Sequence, residues 1–246
     1  VVVGAYKENS GRGAAYIFRI TDGGATYSQV AKLTASDASS SDHFGISVAI
    51  AGNTIVIGSR YDDDGGTSTG SAYVFRTSDG GATYGQVAKL TASDAASFDY
   101  FGCSVAIDGG TVVVGAFRDN RPAGDSGSAY VFHTSDGGAT YVEVAKLTAS
   151  DAAANDEFGI SVAIDGGTVV IGAQHYNNGG SGVVYVFLTT DGGATYGQVA
   201  KLTASDAAYG DNFGISVAIY GDTIVVGAYA WNGDGWGSAY VFRTTD

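Results

Sequence analysis

Phe44-Gly45-Ile46-Ser47-Val48-Ala49-Ile50-Ala51-Gly52-Asn53-Thr54-Ile55-Val56-Ile57-Gly58 reads as two short strands joined by a tight turn. Phe44, Ile46, Val48 and Ile50 alternate with Gly45, Ser47 and Ala49. That is the period-two signal of a strand with one large and one small face. The small face suits the crowded centre of a radial array of sheets. Gly52-Asn53 is a two-residue hairpin link in which glycine supplies the positive φ. Thr54 to Gly58 is the second strand, Ala72 to Phe75 a third, and about Tyr84 to Leu90 a fourth.

The unit returns along the chain. Phe-Gly stands at Phe44-Gly45, Phe101-Gly102, Phe158-Gly159 and Phe213-Gly214, 57, 57 and 55 residues apart. A β-branched run ends at Gly4, Gly58, Gly115, Gly172 and Gly227, and Tyr-x-Phe begins at Tyr16, Tyr73, Tyr130, Tyr185 and Tyr240. A fixed period above about forty residues, built of short strands, points to propeller blades. The expected fold is all-β, a β-propeller of four-stranded blades with at least five blades represented. It forms one region over 1–246, with repeats at about 1–43 (partial), 44–100, 101–157, 158–212 and 213–246 (partial). Strands two and three occur five times, strands one and four four times. A piece of a larger ring and a five-bladed ring both fit that count.

Composition narrows the function classes. The net charge is −13 over 246 residues, and only 15% of them are charged. Such an acidic chain is a poor partner for nucleic acid, whose phosphates need Lys and Arg. No apolar run approaches the length of a membrane-spanning helix, which excludes direct insertion by that route. A single cysteine allows no internal disulfide. Enzyme readings lack their residues: there are three Glu (Glu8, Glu143, Glu157), no nucleophile–His–acid order and no phosphate loop. Paired Asp residues could serve a glycoside hydrolase, but a pair repeated in every blade looks architectural. The expectation is a protein that is not an enzyme.

Phe-Gly-x-Ser-Val-Ala-Ile, Val-Val-Val-Gly-Ala, Gly-Ser-Ala-Tyr-Val-Phe and Ala-Lys-Leu-Thr-Ala-Ser-Asp together resemble the FG-GAP repeat of integrin α-type propellers. The resemblance covers essentially the whole chain. It implies a β-propeller at the cell surface or outside the cell, used for adhesion and ligand binding. One departure matters: the family's calcium loop between strands one and two is replaced here by a short glycine turn, so that site cannot be carried over. Thr77-Ser78-Asp79-Gly80-Gly81-Ala82-Thr83-Tyr84 resembles the Asp-box hairpin of sialidase-type propellers, with copies from Thr134 and Thr189. The copy around Asp22 departs, with Ile20 in its first position. The box implies a folding device.

Internal copies permit an internal comparison. The link from strand two to strand three varies most, and loops on a rigid scaffold are the usual place for recognition. Candidate ligand-binding residues there are Tyr6, Tyr61, Asp62, Phe117, Arg118, Arg121, His175, Tyr176, Tyr229, Trp231 and Trp236. Aromatic rings beside polar groups suit a protein or glycan partner. The link from strand four to the next strand one should emerge on the same face. It carries two Asp residues five apart: Asp37 and Asp42, Asp94 and Asp99, Asp151 and Asp156, Asp206 and Asp211. Calcium (Ca2+) held by carboxylates and carbonyls fits them, and so do Asp side chains capping turn amides. Asp62-Asp63-Asp64 reads as a solvated charge run, and Cys103 as a small buried hydrophobe in the slot of Ile46, Ile160 and Ile215. His43, His133 and His175 occupy different repeat positions and build no metal cluster. Two functions follow: an extracellular recognition module binding a protein or glycan through one propeller face, or a structural bead contacting neighbouring subunits of an assembly.

Overall fold

The computed structural model describes residues 1–20, 23, 24, 26–174, 180–229 and 237–244. Five antiparallel sheets follow one another along the chain. The first holds β1 (Val2–Gly4), β2 (Ala15–Ile20) and β3 (Tyr27–Leu33). The second holds β4 (Ser47–Ala51), β5 (Thr54–Ser59), β6 (Ser71–Arg76) and β7 (Gly85–Leu90). The third holds β8 (Ser104–Asp108), β9 (Thr111–Ala116), β10 (Ser128–His133) and β11 (Val142–Leu147). The fourth holds β12 (Ser161–Asp165), β13 (Thr168–Ala173), β14 (Val183–Leu188) and β15 (Gly197–Leu202), and the fifth β16 (Ser216–Tyr220), β17 (Thr223–Ala228) and β18 (Ser238–Arg243). Each sheet pairs its strands in chain order, and β4, β8, β12 and β16 lie beside one another. These are the blades of a β-propeller.

The hairpins follow from the turn residues. Ala51 pairs with Thr54, so Gly52-Asn53 is the whole loop, and Gly52 takes φ 53°. Gly109, Gly166 and Gly221 do the same in the next blades. Strand one begins later than its alternation predicts. Phe44 is held by a parallel bridge to Gly13 of the preceding blade, and the strand proper starts at Ser47. Phe101, Phe158 and Phe213 are bridged likewise, to Gly70, Gly127 and Gly182. The third and fourth strands slip register at one recurring place, between Val74 and Phe75 in the second blade and between Val131 and Phe132 in the third. A bulge of this kind increases local twist.

Phe-Gly is the joint between blades. Phe101 is fully buried and meets Tyr130 and Phe132 edge-on, with ring centroids 5.5 and 6.0 Å apart. Gly102 has φ 87°, and a Cβ on it would run into the Ser71 carbonyl of the preceding blade. The core is a series of inter-blade layers: Ala106, Val113 and Val131 of the third blade pack on Val162, Ile171 and Phe187 of the fourth. Burying each large aliphatic side chain contributes roughly 1.5–3 kcal/mol. Cys103 is only partly buried, with Sγ 3.4 Å from the Gly159 carbonyl, and desolvation pushes its thiol up to about 11. Among the described residues, no helix is long and apolar enough to cross a membrane.

Candidate functional site

Two structures occupy the face where the second strand hands over to the third. The first is a clasp. The Tyr130 hydroxyl on β10 lies 2.7 Å from Asp94 of the preceding link and 2.8 Å from Asp119 of its own blade, so its one proton is shared between the two carboxylates. Lys146 on β11 reaches Asp94 at 2.6 Å and Asp119 at 2.5 Å. Tyr73 and Lys89 treat Asp37 and Asp62 in the same way, Tyr185 and Lys201 engage Asp151, and Tyr240 donates to Asp206 at 2.8 Å. The serines before Asp37, Asp94 and Asp151 join in. Ser36 pairs with Gln86, and Ser93 donates its amide and hydroxyl to Glu143, both at 2.8 Å. Thr-Ala-Ser-Asp is therefore a strap from one blade to the third and fourth strands of the next.

The second Asp of each pair does something else. Asp42, Asp99, Asp156 and Asp211 accept the amides of Ser39, Ala96, Ala153 and Ala208, three residues upstream, at 2.5, 2.7, 2.8 and 2.7 Å. Burial pushes Asp42 and Asp99 up to about 6, and neighbouring carboxylates add to the rise. Asp94 and Asp119 move the other way. Burial alone would raise them, but hydrogen bonds from Lys146 and Tyr130 outweigh it and hold both below the usual carboxylate range.

The carboxylates that gather are thus not the expected pairs. Asp37, Asp62 and Asp64 bring oxygens within 4.8 Å of one another. The Lys89 ammonium sits among them, 2.8, 3.0 and 2.5 Å from the three. A divalent cation there would have to displace that lysine, so the group fits an ammonium better than calcium. Asp62 is buried in this clasp, and Asp63 Oδ1 accepts the Ser68 amide at 2.6 Å. The acidic run is folded into the loop rather than simply solvated. Arg121 is also a clasp residue, with Nε 3.2 Å from Asp119 and Nη atoms 3.3 and 3.6 Å from Asp94 and Asp99.

The second structure is an aromatic rim. Tyr6 meets His43 (ring centroids 5.1 Å apart), His43 meets Tyr61 (4.8 Å), Tyr61 meets Tyr100 (5.3 Å) and Tyr100 stacks on Phe117 (5.5 Å, 21° between planes). The series spans three blades. It alternates the residue before Phe-Gly with residues that follow strand two. His43 and Tyr100 adopt φ 59° and 58°, as do Glu157 and Asn212 at 56° and 50°. Further round, Gln174 donates to Glu157, and Asn212 donates to the Tyr229 carbonyl at 3.2 Å. Cations lie over the rings: Lys7 over Tyr6 at 5.5 Å, Arg60 over Tyr61 at 4.8 Å, Arg118 over Tyr100 and Phe117 at 5.5 and 5.6 Å. A shallow cavity of about 280 Å³ opens beside the rim, lined by Ser41, His43, Tyr61, Asp63, Thr67 and Ser68.

Of the predicted ligand-binding residues, Tyr6, Tyr61, Phe117 and Arg118 come together in this rim, and Tyr229 stands on the same face in the fifth blade. Asp62 and Arg121 belong to the clasp. His175, Tyr176, Trp231 and Trp236 lie outside the described residues. Sequence reasoning missed His43, Tyr100 and Arg60. A signal was present: the position before Phe-Gly is His43, Tyr100, Glu157 and Asn212 in turn, a varying large residue beside an invariant pair.

The model of the FG-GAP repeat matches residues 27–75, 84–132, 141–187 and 196–242. The chain belongs to the FG-GAP repeat family. Each matched segment of this FG-GAP propeller runs from the fourth strand of one blade through the third strand of the next, so the sequence repeat straddles the Phe-Gly joint. No curated protein matches the chain. Among solved structures it is similar to the crystal structure of Saccharomyces cerevisiae Sqt1, at 12% identity and a TM-score of 0.44, over 74% of this chain and 42% of that one. The chain thus spans less than half the length of that structure.

Proposed function

We propose that this FG-GAP propeller is a non-catalytic, extracellular or cell-surface recognition module that holds a protein or glycan ligand at its aromatic rim. The observation that carries the reading is the ring-to-ring series Tyr6–His43–Tyr61–Tyr100–Phe117. Rigid aromatic rings contribute large contact area at little entropic cost, and they dominate binding hot spots. The clasp beneath fixes the loops that present them. The family supports the location and the adhesive role by analogy, since fold alone does not carry function.

The test is a binding screen against glycan and matrix-protein panels. It compares the wild type with Tyr61→Ser/Tyr100→Ser and with Val142→Lys, a change at an exposed position beside the third-to-fourth-strand hairpin. Loss of binding only in the rim variant supports the reading. Loss only in Val142→Lys would place the ligand on the other face and sink it.

A further inference from the structure

The cations of this acidic chain are not alike. Lys32, Lys89, Lys146, Lys201 and Arg121 are neutralised by carboxylates. Lys7, Arg60 and Arg118 are not, and unlike Arg76, whose Nε is also without a partner, they gather on the rim. Among the described residues none of the three has a carboxylate within ion-pair distance, and all three stand on the rim over aromatic rings. Arg60 and Arg118 each bury an Nε–H that no protein acceptor meets. A guanidinium above a ring is not consumed by that contact, and its terminal N–H groups match a carboxylate. Glu157 is within electrostatic reach of Arg118, yet it is taken up by Gln174 and remains beyond ion-pair distance. Burial and the charges of Arg60 and Lys7 hold His43 below its ordinary value.

The adjoining cavity has a second chemistry. One wall is the ring pair His43 and Tyr61, and the rest is Ser41, Asp63, Thr67 and Ser68. An apolar ring face beside several hydroxyls and one carboxylate acceptor is what a sugar residue requires: its C–H face lies on the ring and its hydroxyls find donors and acceptors around it.

We propose that the rim's ligand is an acidic carbohydrate, with its carboxylates on Arg60 and Arg118 and its hydroxyls at Ser41, Asp63, Thr67 and Ser68. The proposal rests on the recognition reading above and deepens it. An acidic peptide would use the same arginines but has no need of the hydroxyl-lined cavity.

The test is titration calorimetry of the whole chain with oligogalacturonate, glucuronate-containing and sialylated oligosaccharides. Uncharged maltoheptaose and cellohexaose, and an oligoglutamate peptide, serve as comparators. Among the described residues Arg60→Gln and Arg118→Gln remove no hydrogen bond or ion pair, so unchanged melting temperatures will certify their folds. At least one acidic saccharide is expected to bind, with affinity falling as salt rises. Each Arg→Gln change should weaken it about tenfold or more, and Tyr61→Ala similarly. Equal binding of the uncharged saccharides, lost on Tyr61→Ala but not on Arg60→Gln, would overturn the acidic assignment and leave rim recognition standing. Binding of oligoglutamate without any acidic saccharide would overturn the carbohydrate assignment. No binding of any saccharide, with Tyr61→Ser/Tyr100→Ser silent in the panel screen as well, would overturn both.

Discussion

The hydroxyl of Tyr130 lies 2.7 Å from Asp94 Oδ1, across the boundary between two blades. Lys146 meets the other oxygen of the same carboxylate at 2.6 Å. Asp94 is thus held by two strands of the blade that follows it, and Asp119 closes the set from within that blade. The same relationship recurs for Tyr73 with Asp37 and for Tyr185 with Asp151. This clasp sits directly under the loops that carry the aromatic rim, so it links blade packing to the shape of the rim.

Removing parts of the clasp should cost stability in a defined order. Tyr130→Phe deletes the hydroxyl whose one proton is shared between two carboxylates and is expected to destabilise by about 1–3 kcal/mol. Lys146→Met takes away one of the two cations on the fully buried Asp119, Arg121 remaining, which is expected to cost about 3 kcal/mol, the low end for a broken buried pair. Urea unfolding at pH 7.5 measures both. Finding Lys146→Met milder than Tyr130→Phe would show that Asp119 does not depend on the lysine.

Gly115 illustrates a constraint of a different kind. Its φ is ordinary, yet a Cβ there would be driven into the Gly159 carbonyl of the next blade and the Ser104 hydroxyl. Gly115→Ala is expected to destabilise by more than about 3 kcal/mol, because the obstruction is backbone and cannot swing aside. Gly85→Ala, where a Cβ would have nothing within 4 Å, should be neutral or slightly stabilising. Thermal denaturation of the two variants checks the contrast, and similar melting temperatures would refute it.

Much of this architecture was legible because it is periodic. The Phe-Gly joint, the glycine hairpins and the five second and third strands all repeat, and a repeat exposes what every blade needs. The clasp was half legible: Asp37 and Asp94 stood out as repeated carboxylates. Their partners Tyr73, Lys89, Tyr130 and Lys146 lie 36 or 52 residues away. No local spacing announces such contacts. The rim was harder still. His43 and Tyr100 come from one loop while Tyr61 and Phe117 come from another, and only the meeting of these loops above the Phe-Gly joint brings the rings together. Asp62 and Arg121 look like surface groups in sequence because nothing local reveals the Tyr and Lys, or the carboxylates, that enclose them.

Lys89 makes calcium dependence testable. Its ammonium already occupies the space between Asp37, Asp62 and Asp64, so millimolar calcium and EDTA should give the wild type the same melting temperature. Lys89→Gln removes the charge and leaves three carboxylate ligands. This variant is expected to be less stable in EDTA and to regain stability in calcium, by mass action on the folded state. A calcium-induced rise in the wild type would mean that the lysine yields its place to the ion. No response in the variant would mean that the carboxylates are poorly disposed to hold one.

Asp99 sets the last expectation, a pH dependence with a definite sign. Burial raises it from the ordinary 3.8 to about 6, with Asp119 and Asp94 adding to the rise while the Ala96 amide and Arg121 oppose it. The folded chain therefore binds a proton that the unfolded chain releases at lower pH. By linkage, the stability this group contributes is present below about 4 and is lost as pH rises through about 6. Asp94 and Asp119 run the other way, since their depressed values add stability above 3.8 that disappears only in stronger acid. Asp99→Asn keeps an oxygen for the Ala96 amide and removes the charge. It is expected to stabilise the protein by about 1–2 kcal/mol at pH 7.5 and to leave it nearly unchanged at pH 4. Urea midpoints at the two pH values decide the matter. Equal destabilisation at both would show that Asp99 is needed as an ionised partner of Arg121 rather than tolerated as a buried acid.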